Sequence, residues 1–525
     1  MESRNTNEKS FLLLQTEART GHILKKDQSP YNFSESEEAL FTVCDSLDEA
    51  RKRATDLVRK HPSVEVKILN ANREEVAIVR DKKSLQKPSS FAIPKNGTHR
   101  WNKFLMAIFA MLAFFIVQKL LGYTIINEVF QRDMMDMADK ALLNPQIQQH
   151  FTEQMQDLVF AVIVASMLGG LLMGWLTDRV GVRHGLTLSI ALWGLSSLTQ
   201  TLTSSIRGTI ISRCVFTLGE SGLFSAVVKL VSIWFPKLER AWVLGALMAL
   251  GSVLFVAMAW LVPWLATAIN WRFPYILIGL ASLGLAFLIF IFYCNPHEQP
   301  EILATELQYI QSDKDARQAD LKMTWGQLFA YKQLWGLGIF QFFTQPVQVF
   351  ALLTLPLFLQ SQQADFQGSP YNFNPVFLGL FIFADLGGFF FGWLSSQFYQ
   401  NSGNVVNARK TVMLICAVLA LPALAIPFLN DFTVSVALAA LALAAYQGWL
   451  VNVYTLASDI FPKNRVGSVV GISSSFGALG VLIWFFVGKN LQITFGYQAF
   501  FILFGVACLV AWLLGTALVS KLKRF

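Results

Sequence analysis

The chain of 525 residues is 54% hydrophobic and 13% aromatic, and only 14% of it is charged, against roughly 25% charged residues in a soluble protein. Its mean hydropathy of +0.47 includes a polar first hundred residues, so the remainder needs lipid as its solvent, and a soluble enzyme is excluded. The net charge of +8 does not mark a nucleic-acid binder, because the basic residues punctuate apolar segments and form no basic face on a soluble domain.

In chain order, residues 1–95 read as a small polar domain. Alternation over 39–45 predicts a strand, and Ser46 with Glu49 three residues on is a capping box that opens a helix running to Lys60. Residues 64–69 and 76–79 read as a hairpin closed at Ala71-Asn72-Arg73. The predicted unit is β-α-β-β. It carries no catalytic motif, so a folding, docking or regulatory appendage with a cytoplasmic partner is expected. Residues 82–97, with Pro88 and Pro94, read as a linker. The polar start also predicts that no cleavable signal peptide opens the chain.

From Trp101 onward, twelve apolar stretches have the length of a bilayer span, centred near 113, 168, 195, 221, 254, 283, 347, 387, 420, 445, 477 and 508. An even number of spans puts both ends of the chain on one side. The connections sharing that side carry Arg179, Arg183, Lys237, Arg240, Arg409, Lys410, Lys463 and Arg465, while the opposite ones hold only Arg132, Lys140, Arg207, Arg272 and Lys489. Both termini are therefore expected in the cytoplasm. A charged connection near 294–333 splits the spans six and six, which predicts bundles over 96–300 and 334–525 joined by a linker at 301–333. The external connections carry no N-x-[ST] acceptor, which leans toward a bacterial inner membrane.

The cysteines (Cys44, Cys214, Cys294, Cys416 and Cys508) show no metal or disulfide spacing, and the six histidines fall outside the apolar stretches. No GxxxxGK[ST] loop and no HExxH motif occurs. No cofactor, no metal and no enzymatic activity are expected.

The two halves repeat. G-G-L-L-M-G-W-L at Gly169–Leu176 recurs as G-G-F-F-F-G-W-L at Gly387–Leu394, and W-F-P-K-L-E-R at Trp234–Arg240 recurs as I-F-P-K-N-R at Ile460–Arg465. Parallel six-helix halves are the plan of transporters that rock two bundles about a midplane site. The segment Gly174-Trp175-Leu176-Thr177-Asp178-Arg179-Val180-Gly181-Val182-Arg183 resembles the G-x-L-x-D-R-x-G-x-R loop of the major facilitator superfamily. Gly219-Glu220-Ser221-Gly222, Trp234-Phe235-Pro236, Ala384-Asp385-Leu386-Gly387-Gly388 and Ser458-Asp459-Ile460-Phe461-Pro462-Lys463 are similar to its anion:cation symporter branch and, within it, to hexuronate transporters. The resemblance covers roughly residues 100–520. It implies an all-α membrane protein of twelve transmembrane helices in two six-helix repeats, beside a small α+β N-terminal cytoplasmic domain. It also implies a monomer that takes up a small organic anion, a sugar acid or hydroxy-carboxylate, together with protons.

Ionisable residues inside spans need a partner or a role, since each costs at least about 2.5 kcal/mol at the bilayer centre. Glu220 lies near the middle of span four with Arg213 seven residues before it, on the same helical face. The pair is either an interhelical polar network or the seat of the coupling proton. The resemblance places Lys119 of span one on the family's substrate-binding arginine and Gln118 on an aspartate. Lys119 otherwise reads as a side chain reaching for the interface. Tyr123 lies one turn further along, with a hydroxyl to offer. A carboxylate beside Lys119 would take up part of its field, about 2.4 kcal/mol at about 7 Å and an effective dielectric of about 20. Glu220 would then gain a proton as the anion binds. Lys229 reads as snorkelling. Asp385 is either a second proton site or a helix-interface residue beside Gly387 and Gly388.

Gln341, Gln345 and Gln348 share one face of a helix bent at Pro346, and with Gln447 and Asn452 they are candidates for substrate hydroxyls. Thr344-Gln345-Pro346-Val347-Gln348-Val349-Phe350-Ala351 departs from the aromatic-rich hexuronate pattern, so a hydroxylated polycarboxylate competes with a hexuronate. Asp178, Arg179 and Arg183 are expected to gate, and by resemblance Asp178 accepts main-chain N–H groups near Val466. Arg240 and Arg465 are expected to pair with Asp459 or Glu239. Rival readings are an exporter of a drug or siderophore and a transporter-like sensor signalling through residues 1–95.

Overall fold

The computed structural model describes residues 11–17, 24–26, 40–61, 64–70, 75–79, 99–126, 145–203, 205–299, 301–312, 323–362 and 375–520. Within the helices, the side chains of 114–126, 145–152, 251–260, 262–263, 267, 304–305, 352–353, 360, 375, 377–378, 489 and 492–493 fall outside that description. The chain divides into two compact units, one of residues 1–97 with 302–318, the other of 98–301 with 319–525.

The first unit is built on an antiparallel sheet of β1 (Phe11–Glu17), β2 (Phe41–Cys44), β3 (Val64–Leu69) and β4 (Glu75–Val79), in the spatial order β2-β1-β3-β4. Helix α1 (Leu47–Lys60) buries Ala50, Ala54 and Val58, spaced four apart on one face. This stripe joins Leu13, Cys44, Val64, Val66 and Ile68 in one core, and each buried Leu, Ile or Val contributes about 1.5–3 kcal/mol. The capping box is present in outline: Ser46 Oγ accepts from the Glu49 N–H, and the Glu49 carboxylate turns back to the Asp45 N–H. Acidic Asp48 and Glu49 at its start and basic Arg59 and Lys60 at its end complement the helix dipole. Strand β1 is an addition to the β-α-β-β expectation. The turn at 71–73 and the linker at 82–97 lie outside the described residues.

The second unit is helical: α2 (His99–Ile126), α3 (Pro145–Leu202), α4 (Ile206–Trp234), α5 (Lys237–Ala268) and α6 (Arg272–Phe292) precede a second set. That set comprises α9 (Lys332–Gln362), α10 (Pro375–Ser402), α11 (Val405–Ala420, continued by a 3-10 turn at Leu421–Phe428), α12 (Phe432–Ile460), α13 (Val466–Phe495) and α14 (Gln498–Gly515). The short helix α8 (Trp325–Leu328) also belongs to this unit, whereas α7 (Ala304–Ile310) belongs to the first.

Among the described residues, eight helical stretches are long and apolar enough to cross a membrane. The stretch Glu153–Leu202 has 50 residues, about 75 Å at 1.5 Å per residue, more than twice a bilayer core. It breaks at Gly181, whose φ of 85° no other residue type adopts cheaply. Large apolar side chains point outward along α6, where Leu280, Phe287 and Phe292 are about 60% exposed, a surface suited to lipid and not to water.

Within the first half α3 packs on α4 and α6, and α2 on α5; within the second, α10 packs on α12 and α9 on α13 and α14. The halves meet along two seams, α3 against α13 and α5 against α10. The connections at 178–183, 235–240, 403–409 and 461–466 lie at one end of these helices, the basic end.

Candidate functional site

The repeated glycines are the residues through which the halves touch. A Cβ on Gly174 would meet the Gly467 carbonyl at 2.6 Å, and one on Gly392 the Ala241 carbonyl at 2.5 Å. Gly170 likewise faces the Gly471 carbonyl, and Gly245 faces the Gly388 carbonyl. The two seams are therefore copies of one packing, in which the backbones approach because no side chain intervenes. The pairing also sets the register of the second repeat: Ala241 corresponds to Gly467 and Gly245 to Gly471, so Arg465 stands where the first half has Glu239.

Charges lock this end. Asp178 accepts from the main-chain N–H groups of Gly467 (3.0 Å) and Ser468 (2.6 Å) at the start of α13, and from Lys229 Nζ at 2.8 Å. Lys229 also donates to the Thr177 carbonyl and is only 5% exposed. It is thus a buried partner of Asp178, and the expectation that it snorkels is corrected. Ser396, the second-half counterpart of Asp178, bonds only back to the Gly392 carbonyl of its own helix among the bonds described, so the latch is asymmetric.

At the other seam, Asp459 accepts from Arg240 and Arg409, each at 3.1 Å. Arg240 spends its remaining donors on the carbonyls of Ser232, Phe235 and Ser458. Arg409 bonds Ser395 Oγ and the Lys237 carbonyl. One carboxylate between two buried guanidiniums is balanced by the carbonyls of Ser232, Phe235 and Ser458, which lie at helix C-terminal ends and carry partial negative charge.

Glu239 pairs with Arg100 at 3.1 Å. The Arg465 main-chain N–H bonds the Pro462 carbonyl, while its buried Nε has no hydrogen-bond partner. Arg183 donates to the Phe290 and Ile291 carbonyls and, with Lys103 on Phe292, caps the end of α6. Arg179 is exposed and lies over the Trp175 ring at 5.3 Å.

Nearer the middle of the helices lies a second polar layer. Arg213 and Glu220 of α4 interact electrostatically, and Arg213 also reaches Tyr275 and lies 4.1 Å over the Phe216 ring. Tyr454 of α12 stands beside Gln341 and Ser474, within electrostatic reach of Glu220. The Gln341 amide is fully buried, and neither of its polar atoms has a well-formed hydrogen bond. Gln345 faces Gln348 at 3.5 Å while its own Oε1 is left over. Asn452 donates to the Gly448 carbonyl of its own helix and keeps a buried, unpaired Oδ1. Buried amides in this condition are costly unless a bound group completes them.

Gln447 is drawn away from this layer: its amide donates to Asp385, beside the tight contact of Gly387 with Ala444. Lys119 and Tyr123 lie in α2, and their side chains are outside the described ones. Among the described residues no cluster of metal-ligating side chains occurs. Sequence reasoning missed Tyr454, Arg100 and Arg409 as site residues. Arg409 belongs to a segment, Ala408-Arg409-Lys410, that is similar to hexuronate transporters, but no partner for it is visible in the sequence.

Two halves of apolar helices that meet through repeated glycines, with charge locked at one end and unsatisfied amides between them, define a membrane transporter. The family model of the Major Facilitator Superfamily matches residues 104–406 and 363–524, and the chain belongs to that superfamily. It is a multi-pass integral membrane protein.

Similar curated proteins include the hexuronate transporter of Escherichia coli strain K12, 26% identical over 375 residues, covering 69% of this chain and 85% of the relative. The D-galactonate transporter of Escherichia coli O6:H1 is 24% identical over 408 residues, 74% of this chain and 93% of the relative. The galacturonate transporter of Dickeya chrysanthemi is 27% identical over 255 residues, 47% and 72% respectively. Among solved structures, the proton:xylose symporter XylE bound to 6-bromo-6-deoxy-D-glucose superposes with a TM-score of 0.62 at 16% identity, covering 81% of this chain and 96% of that one. The human organic anion transporter MFSD10 (TETRAN) gives 0.54 at 15%, covering 79% and 98%. These two show the fold alone.

Proposed function

We propose that the protein is a secondary-active transporter that couples protons to the movement of a small organic anion, a sugar acid or hydroxy-carboxylate, by alternating access. The observation that carries this reading is the central layer: an acid and a base on α4 of one half, Glu220 and Arg213, near unsatisfied buried amides of the other, above a sealed basic end. Arg213 and Lys119 supply positive charge for the substrate anion. Gln341, Gln345, Gln348 and Asn452 offer paired donors and acceptors that suit hydroxyl groups. Glu220 takes the coupling proton, so that acid, base and substrate leave little net charge when the halves close. Asp385, held by Gln447, is the second acid and serves the α10–α12 interface.

With α3 counted as two helices divided at Gly181, α2–α6 and α9–α14 supply twelve segments that each cross the membrane, with both termini and the basic end in the cytoplasm of a bacterial inner membrane. The locks at the basic end make this conformer one that is closed on the cytoplasmic side. Sugar-acid transporters recur among the relatives, which supports the substrate class. The amide pair Gln345–Gln348 favours hydroxylated polycarboxylates as a second reading.

Counterflow in proteoliposomes decides between them: unlabelled sugar acids or hydroxy-polycarboxylates are loaded inside and entry of a labelled one is followed. Exchange of a sugar acid supports the first reading and exchange of polycarboxylates alone the second. No exchange of either contradicts both and brings forward the sensor and exporter readings.

A further inference from the structure

Between the central layer and the basic-end locks, a pair of stacked rings joins the halves. Phe224 of α4 stacks on Tyr454 of α12, with centroids 5.9 Å apart and planes 18° from parallel. Phe224 follows Glu220 by four residues, on the same face of α4 and about 6 Å nearer the basic end. Tyr454 precedes Asp459 by five residues, about 7.5 Å along α12. The rings thus separate the layer holding Glu220 and Gln341 from the layer holding Asp459 and Lys229. Tyr454 is 6% exposed, and its hydroxyl, at the rim of the stack, stands beside Gln341 and Ser474.

We propose that the Phe224–Tyr454 ring pair is the barrier that closes the site toward the basic end, and that the Tyr454 hydroxyl is a positioning group for the Gln341 amide. The proposal rests on the transport reading. Two stacked rings from different halves exclude water while the halves are together, and they part without breaking a covalent or charged contact when the halves separate. A tyrosine suits this position because its ring closes the path while its hydroxyl orients the amide on the site side. Movement of the barrier and order in the site are then two ends of one side chain.

The test uses proteoliposomes holding an entrapped pH-sensitive dye, with a pH gradient imposed and no substrate present. Phe224→Ala should collapse the gradient about tenfold faster than wild type, the scale of one lost aromatic pair, and Phe224→Tyr should restore the wild-type rate. Phe224→Leu, which keeps apolar volume without a flat ring, serves if the alanine variant does not insert. Tyr454→Phe keeps the stack and should hold the gradient, while its KM in counterflow rises severalfold at an unchanged maximal rate. Gradients held equally by wild type, Phe224→Ala and Phe224→Leu overturn the barrier. A Tyr454→Phe protein with wild-type KM overturns the positioning role. The leak measurement needs no substrate, so failure of wild type to exchange any anion counts against the transport reading and leaves the barrier judged on its own.

Discussion

Replacing Asp178 with asparagine should release the halves at the basic end. Its carboxylate makes two bonds that cross between them, to the N–H groups of Gly467 and Ser468, and one that does not, to Lys229. Hydrogen bonds to a charged group contribute about 1.5–3 kcal/mol each and neutral ones about 1. Asparagine keeps a single carbonyl acceptor, so the closed conformer loses about 2–5 kcal/mol relative to the open one. That shifts the open-to-closed ratio at least about 30-fold and up to about 5,000-fold.

Spin labels at His184 and Ser402, both exposed and on opposite halves at this end, would report the change by electron–electron resonance in a background without the native cysteines. The expected result is a second, longer distance in Asp178→Asn. Lys229→Met is the control. It removes a pair internal to the first half, so it should lower the melting temperature without adding the longer distance. An unchanged distance distribution in Asp178→Asn, or the same new distance in both variants, refutes the reasoning.

Gly392→Ala places a methyl against the Ala241 carbonyl and should cost about 1–3 kcal/mol, whereas Gly284→Ala, with nothing within 4 Å, should be neutral or stabilise by up to about 1 kcal/mol; melting temperatures in detergent compare the two. Asp459→Asn leaves Arg240 and Arg409 without their shared anion and should cost about 3–5 kcal/mol. A melting temperature equal to wild type would show that the helix-end carbonyls suffice. Outside the spans, the Asn295 main-chain and side-chain N–H groups hold the Glu298 carboxyl below the usual carboxylate range. The turn is therefore supported at neutral pH and loses that support as pH falls through the depressed value. In a carboxyl-labelled NMR titration, Asn295→Ala should move the Glu298 midpoint upward.

Much of this arrangement was legible in the chain. The G-G-x-x-x-G-W-L repeat signals close packing: Gly170, Gly174, Gly388 and Gly392 are at the seams, while Gly169 and Gly387 pack against helices of their own halves. The expected Asp178 contact with the start of α13 falls one and two residues beyond Val466, at Gly467 and Ser468.

What escaped notice depends on partners remote in sequence. Lys229 read as snorkelling because its distance along α4 allows it, and only the fold brings Asp178 from 51 residues away. Glu239 pairs with Arg100 across 139 residues. Strand β1 shows no alternation because Leu13, Leu14, Gln15 and Thr16 are all buried, on both faces of the sheet, so period two is masked. A tyrosine such as Tyr454 in an apolar span reads as packing until its neighbours on α4, α9 and α13 are known.

The central claim is that Glu220 couples a proton to an anion on the same path. The most direct measurement is accumulation of a labelled sugar acid in proteoliposomes under an imposed pH gradient, for wild type and Glu220→Gln, with counterflow of the same compound run in parallel. The account predicts that wild type accumulates and exchanges, while Glu220→Gln exchanges without accumulating. Accumulation by Glu220→Gln at the wild-type level, or wild-type uptake indifferent to the gradient, would contradict it.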